Sequence, residues 1–343
     1  MERKQWKWLA VSIGFSVIVL AVVLYFTIDE DTITYLARLD PAFLLLALAF
    51  HLASLCFWAL RIKTMSKSLG YRVKFSHCLN MVFANMLVAA ITPSQMGGEP
   101  VRIHELYRSG VRVGDATAVV IMERVIDGIV LGGIAALAML LLSSHWSTLD
   151  VDFATPMFFS WIAVTIAVLL FAYSVRNPDF LKGILRMVSL WAARRWHSTK
   201  LDRFVDAIDH EVDNFNGSLS RFVGGGKIGL IWGFLFTTLY WVFEFSIASL
   251  ILMGLGKEPY LFESFIVQLI IAIFMMIPLT PGSSGIAELS ATSLYGLFIP
   301  SSIVGIFVVL WRFILYYVNI IIGILASIFI VRREMILKRI GLK

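Results

Sequence analysis

The chain has 343 residues, of which 59% are hydrophobic and 15% are charged, and its mean hydropathy is +0.84. That much apolar surface exceeds what a soluble core of this size hides, so the composition excludes a soluble globular protein and indicates a polytopic membrane protein. The formal net charge of +6 does not indicate a nucleic-acid partner, because the basic residues lie in short segments beside apolar runs, where they are topology signals and contacts for anionic lipid.

The first two apolar segments are predicted to be full membrane spans. Residues 8–26 are too long for the apolar region of a cleaved signal peptide, and no small-residue cleavage site follows them. The second segment, residues 42–60, follows a mainly acidic stretch and precedes a basic loop without acidic residues. By the positive-inside rule, the N-terminus and the loop at residues 61–74 lie in the cytoplasm. The basic residues of that loop are Arg61, Lys63, Lys67, Arg72 and Lys74.

The next apolar segment, residues 75–91, has basic residues on both sides, so a full crossing would contradict the positive-inside rule. A re-entrant helical hairpin satisfies it. The break in this hairpin contains Thr92, Pro93, Gly97 and Gly98. Such non-helical backbone is tolerated at membrane depth only where it lines a cavity or is buried in protein.

The remaining apolar segments complete an all-α topology of about six full spans and two opposed re-entrant hairpins. Residues 176–227 carry nine basic and six acidic residues, and they are predicted to be either an amphipathic helix pair on the membrane surface or a solvated connector. A second break, with Thr280, Pro281, Gly282 and Gly285, separates residues 262–279 from 286–299 and predicts the second hairpin. The full spans after the first hairpin are residues 117–142, 157–175, 228–253 and 303–331. The last span leaves a basic C-terminus in the cytoplasm.

The two breaks belong to an internal repeat. The Thr-Pro pair and the glycine four residues after its proline recur at an offset of 188 residues, and Arg124 and Arg312 are separated by the same offset. Three full spans lie between the breaks, so the two halves, residues 42–175 and 228–331 of a single membrane domain, are expected to be inverted. Inverted repeats with broken helices are typical of alternating-access transporters that bind substrate at the repeat interface.

Several ionisable residues lie within apolar segments, where they are costly and are therefore functional candidates. Glu123 and Asp127 share one face of their helix, with Arg124 about 100° round it. We expect their further partners among Glu99, Arg102, His104 and Arg312. Two interpretations stay open. One is an ion network that only locks the hairpin against the bundle; in the other, Arg124 and Arg312 hold a phosphate head group in turn.

Further candidates lie beside the second break, in a central span and in the breaks themselves. Glu288 follows the second break much as Glu99 follows the first. Glu244, alone near the middle of its span, is a candidate for proton coupling, for head-group binding or for pairing with an arginine. The glycines of both breaks either present backbone N–H groups to an anion or merely allow tight turns.

No cofactor, metal or catalytic residue is predicted. His51, His77 and His104 have no metal-ligand spacing, and Cys56 and Cys78 fit packing positions. The sequence contains no phosphate-binding loop and no nucleophile elbow, which argues against an ATP-driven pump within this chain.

Residues 92–102, the group Glu123, Arg124 and Asp127, and residues 279–288 together resemble the transmembrane domain of lysylphosphatidylglycerol synthases. That domain also occurs alone, as a flippase-like family, and it corresponds to essentially this whole chain. The resemblance implies movement of a phospholipid from the inner to the outer leaflet. Only twelve residues follow Val331, so aminoacyl transfer by a soluble domain is not expected, and an isoprenoid-linked sugar carrier is an alternative substrate.

The leading hypothesis is therefore a lipid translocator in the inner cell membrane, with anionic membrane lipids as its partners. A membrane-embedded transferase using Glu99, Glu123 or Asp127 is the first alternative. The second is a non-transporting scaffold that binds anionic lipid and a separate lipid-modifying enzyme. A second copy of the chain is a further candidate partner.

Overall fold

The computed structural model of the chain describes residues 3–92, 97–142, 227–275, 280 and 282–339, with isolated positions between 158 and 224. These residues are almost entirely helical, which confirms the predicted all-α class for the described part of the chain. The predicted span at 157–175 and the connector at 176–227 lie almost wholly outside the described residues. The helices are α1 (Arg3–Thr27), α2 (Glu30–Ala37), α3 (Pro41–Ser68), α4 (Phe75–Ala90), α5 (Gly98–Arg108), α6 (Val113–Leu142), α7 (Lys227–Gly254), α8 (Leu261–Phe274), α9 (Ile286–Tyr295), α10 (Ser301–Arg312), a π-helical turn (Phe313–Tyr317) and α11 (Val318–Arg339).

Four helical segments among the described residues are long and apolar enough to cross a membrane. They coincide with four of the six predicted full spans. Helices α4 and α8 are also apolar but have only 16 and 14 residues. At 1.5 Å per residue they are roughly 24 Å and 21 Å long, less than the roughly 30 Å of a hydrocarbon core. The four segments are Ala10–Thr27, Pro41–Ser68, Lys227–Gly254 and Ser301–Ile328.

Both predicted breaks interrupt helices. Helix α4 ends at Ala90 and α5 begins at Gly98, while α8 ends at Phe274 and α9 begins at Ile286. The described parts of the two breaks touch, because the Gly282 N–H donates a hydrogen bond to the Thr92 carbonyl oxygen at 3.0 Å. A Cβ at Gly282 would lie 2.6 Å from the Ala90 carbonyl oxygen, and φ there is +58°. Only glycine accepts both conditions without strain. Pro93 and Pro281 lie outside the described residues.

The helix order repeats at the same offset as the sequence motif. Helices α5 and α9 begin at Gly98 and Ile286, which are 188 positions apart, and α6 and α10 begin at Val113 and Ser301 with the same separation. The correspondence extends to α3 and α7 and to α4 and α8 within a few residues. The helix boundaries therefore follow the same offset as the sequence motif. The inversion of the halves and the membrane depth of the breaks stay predictions.

The described residues divide into two compact units. The first contains those of Met1–Ala59, Ser76–Val101 and Thr238–Lys343, and the second those of Leu60–Phe75 and Arg102–Thr237. The first unit has a continuous apolar core built from α3 and α7 to α10, centred on residues such as Ile251, Tyr295 and Phe307. Helix α1 packs on α9 and α10. This packing brings the polar residues of α1, α9 and α10 together.

Candidate functional site

A buried ion pair follows the second break in the first unit. Glu288 in the first turn of α9 is 0% exposed, and Arg312 at the end of α10 is 2% exposed. The Arg312 Nε donates to Glu288 Oε1 at 2.9 Å. The Gly285 N–H donates to Glu288 Oε2 at 2.7 Å, so the carboxylate also caps the start of α9. One carboxylate therefore neutralises the guanidinium and satisfies a helix terminus.

Hydroxyl groups surround this pair on three elements. Ser16 of α1 donates to Glu288 Oε1 at 2.6 Å, and Arg312 Nη2 donates to Ser284 Oγ at 3.3 Å. The π-helical turn directly after Arg312 supplies Tyr316, whose ring lies 4.1 Å below the guanidinium carbon, and Tyr317, whose hydroxyl donates to Ser16 Oγ at 3.1 Å. Single π-helical turns inside α-helices often mark functional positions. We refer to Ser16, Ser284, Glu288, Arg312, Tyr316 and Tyr317 as the Arg312 cluster.

The second unit contains a separate buried charge network. Glu123 accepts hydrogen bonds from Arg102 Nη1 and from Arg61 Nε, the latter at 2.9 Å. Arg61 Nη1 also donates to Asp127 Oδ1 at 2.6 Å and to Thr237 Oγ1 at 3.0 Å. The predicted pairing of Glu123 with a residue after the first break is thus present, through Arg102.

Arg61 is the functional candidate that the sequence interpretation missed. That interpretation placed Arg61 in a loop, which is wrong, because α3 continues to Ser68 and Arg61 is only 2% exposed. The cytoplasmic position of this end of α3 stays a prediction. One signal could have identified it. Glu123 and Asp127 carry more negative charge than Arg124 alone can balance, and Arg61 is the first cation after the apolar run of α3.

The predicted head-group residues do not share one environment. The Arg124 side chain is 48% exposed, and its Nη1 lies 3.5 Å from Asp127 Oδ2. Glu99 lies in the first turn of α5 and is partly exposed. Arg312 belongs to the first unit and Arg124 to the second. Their alternating use of one head group stays a prediction.

Three of the break glycines use their backbone N–H groups within the protein. Gly97 donates to Thr92 Oγ1 at 3.0 Å, Gly282 donates to the Thr92 carbonyl, and Gly285 donates to Glu288. A Cβ at Gly98 would collide with the Asn85 side chain, and Gly285 has φ +84°. These contacts favour the tight-turn interpretation of the glycines over presentation of their N–H groups to an anion.

Glu244 pairs with a histidine, so the expected pairing with an arginine is wrong. His51 Nδ1 lies 2.8 Å from Glu244 Oε1, and Ser54 Oγ also donates to this oxygen. His51 Nε2 lies 2.9 Å from Asn319 Oδ1. This link joins α3, α7 and α11, which all carry candidate spans. His51 is a hydrogen-bonding residue, as predicted, and the described residues contain no group of three side chains placed to hold a metal.

Comparisons with known proteins agree with the resemblance. Residues 8–323 match the family described as the lysylphosphatidylglycerol synthase TM region. A UPF0104 membrane protein of Archaeoglobus fulgidus is 33% identical over 314 residues, which cover 91% of this chain and 94% of the relative. A UPF0104 membrane protein of Pyrococcus horikoshii is 24% identical over 297 residues, which cover 84% of this chain and 86% of the relative. The likeness therefore extends over nearly the whole membrane chain.

Proposed function

The chain belongs to the family of the lysylphosphatidylglycerol synthase transmembrane region, and from this premise we propose that it translocates a phospholipid or a lipid-linked anionic substrate between the leaflets. The observation that carries the proposal is the Arg312 cluster, a buried guanidinium with hydroxyl groups next to a broken helix and within candidate spans. Charged groups are rare in such segments because hydrocarbon does not solvate them. A protein that moves head groups requires them there.

In this proposal the cluster replaces water around the head group while the acyl chains stay in the bilayer. An unpartnered phosphate in hydrocarbon would lose its hydration, which is the main barrier to lipid movement. The guanidinium of Arg312 can bind two phosphate oxygens at once through two N–H groups. Glu288 neutralises Arg312 when substrate is absent, and Ser16 and Ser284 offer further hydrogen bonds. The predicted inverted halves would then expose the site to each leaflet in turn.

The rival interpretation is that the Glu288–Arg312 pair only holds α9 against α10. The same contacts support head-group binding and a purely structural role, so the test must remove the charge of Arg312 without unfolding the protein. Arg312→Ala leaves Glu288 buried and unpaired, so the double variant Glu288→Gln/Arg312→Gln is needed beside it. Arg38→Ala is the matched control, since Arg38 is exposed at the end of α2.

The experiment follows a head-group-labelled phosphatidylglycerol in proteoliposomes with a quencher that cannot cross the membrane. We expect wild type and Arg38→Ala to move the lipid, and both Arg312 variants to fall to the rate of protein-free vesicles. Wild-type movement by the folded double variant would exclude Arg312 as the head-group site. A wild type that moves neither phosphatidylglycerol nor a polyprenyl phosphate would overturn translocation, and chemical conversion of the lipid without movement would favour the transferase.

A further inference from the structure

A cleft lined mainly by cations lies at the C-terminal end of α3 in the second unit. We call it the α3 basic cleft. Its volume is about 470 Å³, within the range of about 300–1,000 Å³ that is usual for ligand sites. The cleft is lined by Lys63, Lys67, Tyr71, Arg72, Val73 and Lys74. It is separate from the Arg312 cluster, which belongs to the first unit.

The local sequence builds this cleft through a glycine cap. Gly70 has φ +94°, and its N–H donates to the Lys67 carbonyl, while the Tyr71 N–H donates to the Ser66 carbonyl. This pair of bonds is the Schellman motif, which ends α3 and reverses the chain. Lys63 and Lys67 are one helical turn apart on α3. The reversal therefore returns residues 71–74 to the helix face that carries these two lysines.

One wall of the cleft is held by a buried acid. The Tyr71 hydroxyl donates to Asp115, which also accepts hydrogen bonds from Arg112, Ser218 and Arg221. Burial raises the pKa of Asp115, but the hydrogen bonds from Ser218, Tyr71 and Arg112 and the charge of Arg221 outweigh it, so the pKa lies below its ordinary value. The carboxylate is therefore ionised, and two arginines balance its charge. It fixes Tyr71 without neutralising the lysines.

Among the described residues, the four cations of the cleft have no acidic partner. Within the described part of the chain, no carboxylate lies within ion-pair distance of Lys63, Lys67, Arg72 or Lys74. Lys67, Arg72 and Lys74 are exposed, and Lys63 is partly buried. Like charges held close together repel, and a bound anion would relieve that repulsion.

We propose that the α3 basic cleft binds a phosphate-bearing anion, with Arg72 and the three lysines as its ligands. A guanidinium matches phosphate bidentately and lysines add point charges. The Tyr71 hydroxyl donates to Asp115 and accepts from Arg112 Nε, so it forms a fixed wall of the cleft rather than a ligand. The cleft lies along the last turns of the candidate span Pro41–Ser68 and the residues that follow it, and basic residues at the ends of spans contact anionic lipid phosphates. The phosphate comes from a phospholipid head group or from a soluble phosphate compound.

Calorimetric titration of the full chain in neutral detergent tests this site without requiring lipid movement. The probes are dihexanoyl phosphatidylglycerol, dihexanoyl phosphatidylcholine and inorganic phosphate. The variant Lys67→Gln/Arg72→Gln/Lys74→Gln removes three exposed cations. A control with the same charge change, Arg38→Gln/Arg108→Gln/Lys257→Gln, removes three cations that do not line the cleft.

We expect the cleft variant to bind phosphatidylglycerol about 100-fold more weakly than wild type and the single variant Arg72→Gln about fivefold more weakly. The control should match wild type. Displacement of the lipid by inorganic phosphate assigns the site to phosphate from either source, whereas binding of the lipid that phosphate does not displace assigns it to a lipid head group. Equal affinity in the cleft and control variants, or equal affinity of wild type for the two lipids, would overturn the proposal. A cleft variant that loses phosphatidylglycerol binding but still moves lipid in proteoliposomes, or an Arg312 variant that binds the lipid but does not move it, distinguishes this site from the proposed translocation site.

Discussion

The Glu288–Arg312 pair offers a direct test of how the first unit is held together. Three variants are needed: Glu288→Gln, Arg312→Gln and the two combined. Each single change keeps the side-chain length but leaves one buried charge without its partner. The double change leaves two neutral amides at the same positions. A matched cycle on two exposed residues, Glu30 at the start of α2 and Arg38 directly after its end, provides the control.

The structure sets the size of the effect. Glu288 accepts hydrogen bonds from Ser16, Gly285 and Arg312, and it is the carboxylate that neutralises a guanidinium 2% exposed. Leaving a buried charge unpaired costs about 3–5 kcal/mol, so each single variant should lose about that much unfolding free energy. Two amides that keep part of the hydrogen bonding should cost about 2 kcal/mol together. The two single losses together exceed the double loss by about 4 kcal/mol or more, and this difference is the expected coupling free energy.

Denaturant unfolding in detergent micelles measures these free energies for the four proteins of each cycle. We expect strong coupling in the Glu288–Arg312 cycle and additive, near-zero changes in the Glu30–Arg38 cycle. A Glu288–Arg312 coupling below about 0.5 kcal/mol would refute the reasoning, because the two changes would then act independently. Such a result would mean that the pair does not hold α9 against α10.

Two further predictions concern single positions. Gly282→Ala should lower the unfolding free energy by about 2 kcal/mol or more, because φ is +58° and the new Cβ would lie 2.6 Å from the Ala90 carbonyl oxygen. The control Gly14→Ala should be tolerated, since a Cβ there meets open space. Equal thermal midpoints for the two variants would contradict this prediction. The pKa of Asp115 lies below 3.8, because its hydrogen-bond donors and Arg221 outweigh burial, so its ionised form contributes stability that is present above pH 3.8 and lost as the pH falls below it. Asp115→Asn should therefore lower the thermal midpoint at pH 7, with a cost of about 1–3 kcal/mol, and reduce the loss of stability on acidification; an unchanged acid profile would count against the assignment.

Local patterns in the sequence were sufficient for the helices and their breaks. Apolar runs predicted the four spans, because hydropathy is a property of the segment itself. The Thr-Pro and glycine motifs predicted both interruptions, since proline and glycine restrict or free the backbone wherever they stand. The offset of 188 residues also predicted the matching starts of α5 and α9 and of α6 and α10.

Partner choice in the candidate sites could be predicted only in part. Glu288 and Arg312 were both recognised as candidates, but the sequence did not indicate that they pair with each other. Arg61 was assigned to a loop because the apolar run ends at Leu60, whereas the helix continues to Ser68. Glu244 was expected to meet an arginine, yet its partner is His51, 193 positions away.

By itself, the sequence determined the class of the protein, its apolar spans and its broken helices, because each of these follows from side chains close together along the chain. The tertiary structure alone decided which charges meet, and it decided that Arg312 is buried while its repeat counterpart Arg124 is half exposed. Coulomb attraction and hydrogen bonds act over a few ångströms in space, and the packing of helices distant in sequence sets those distances.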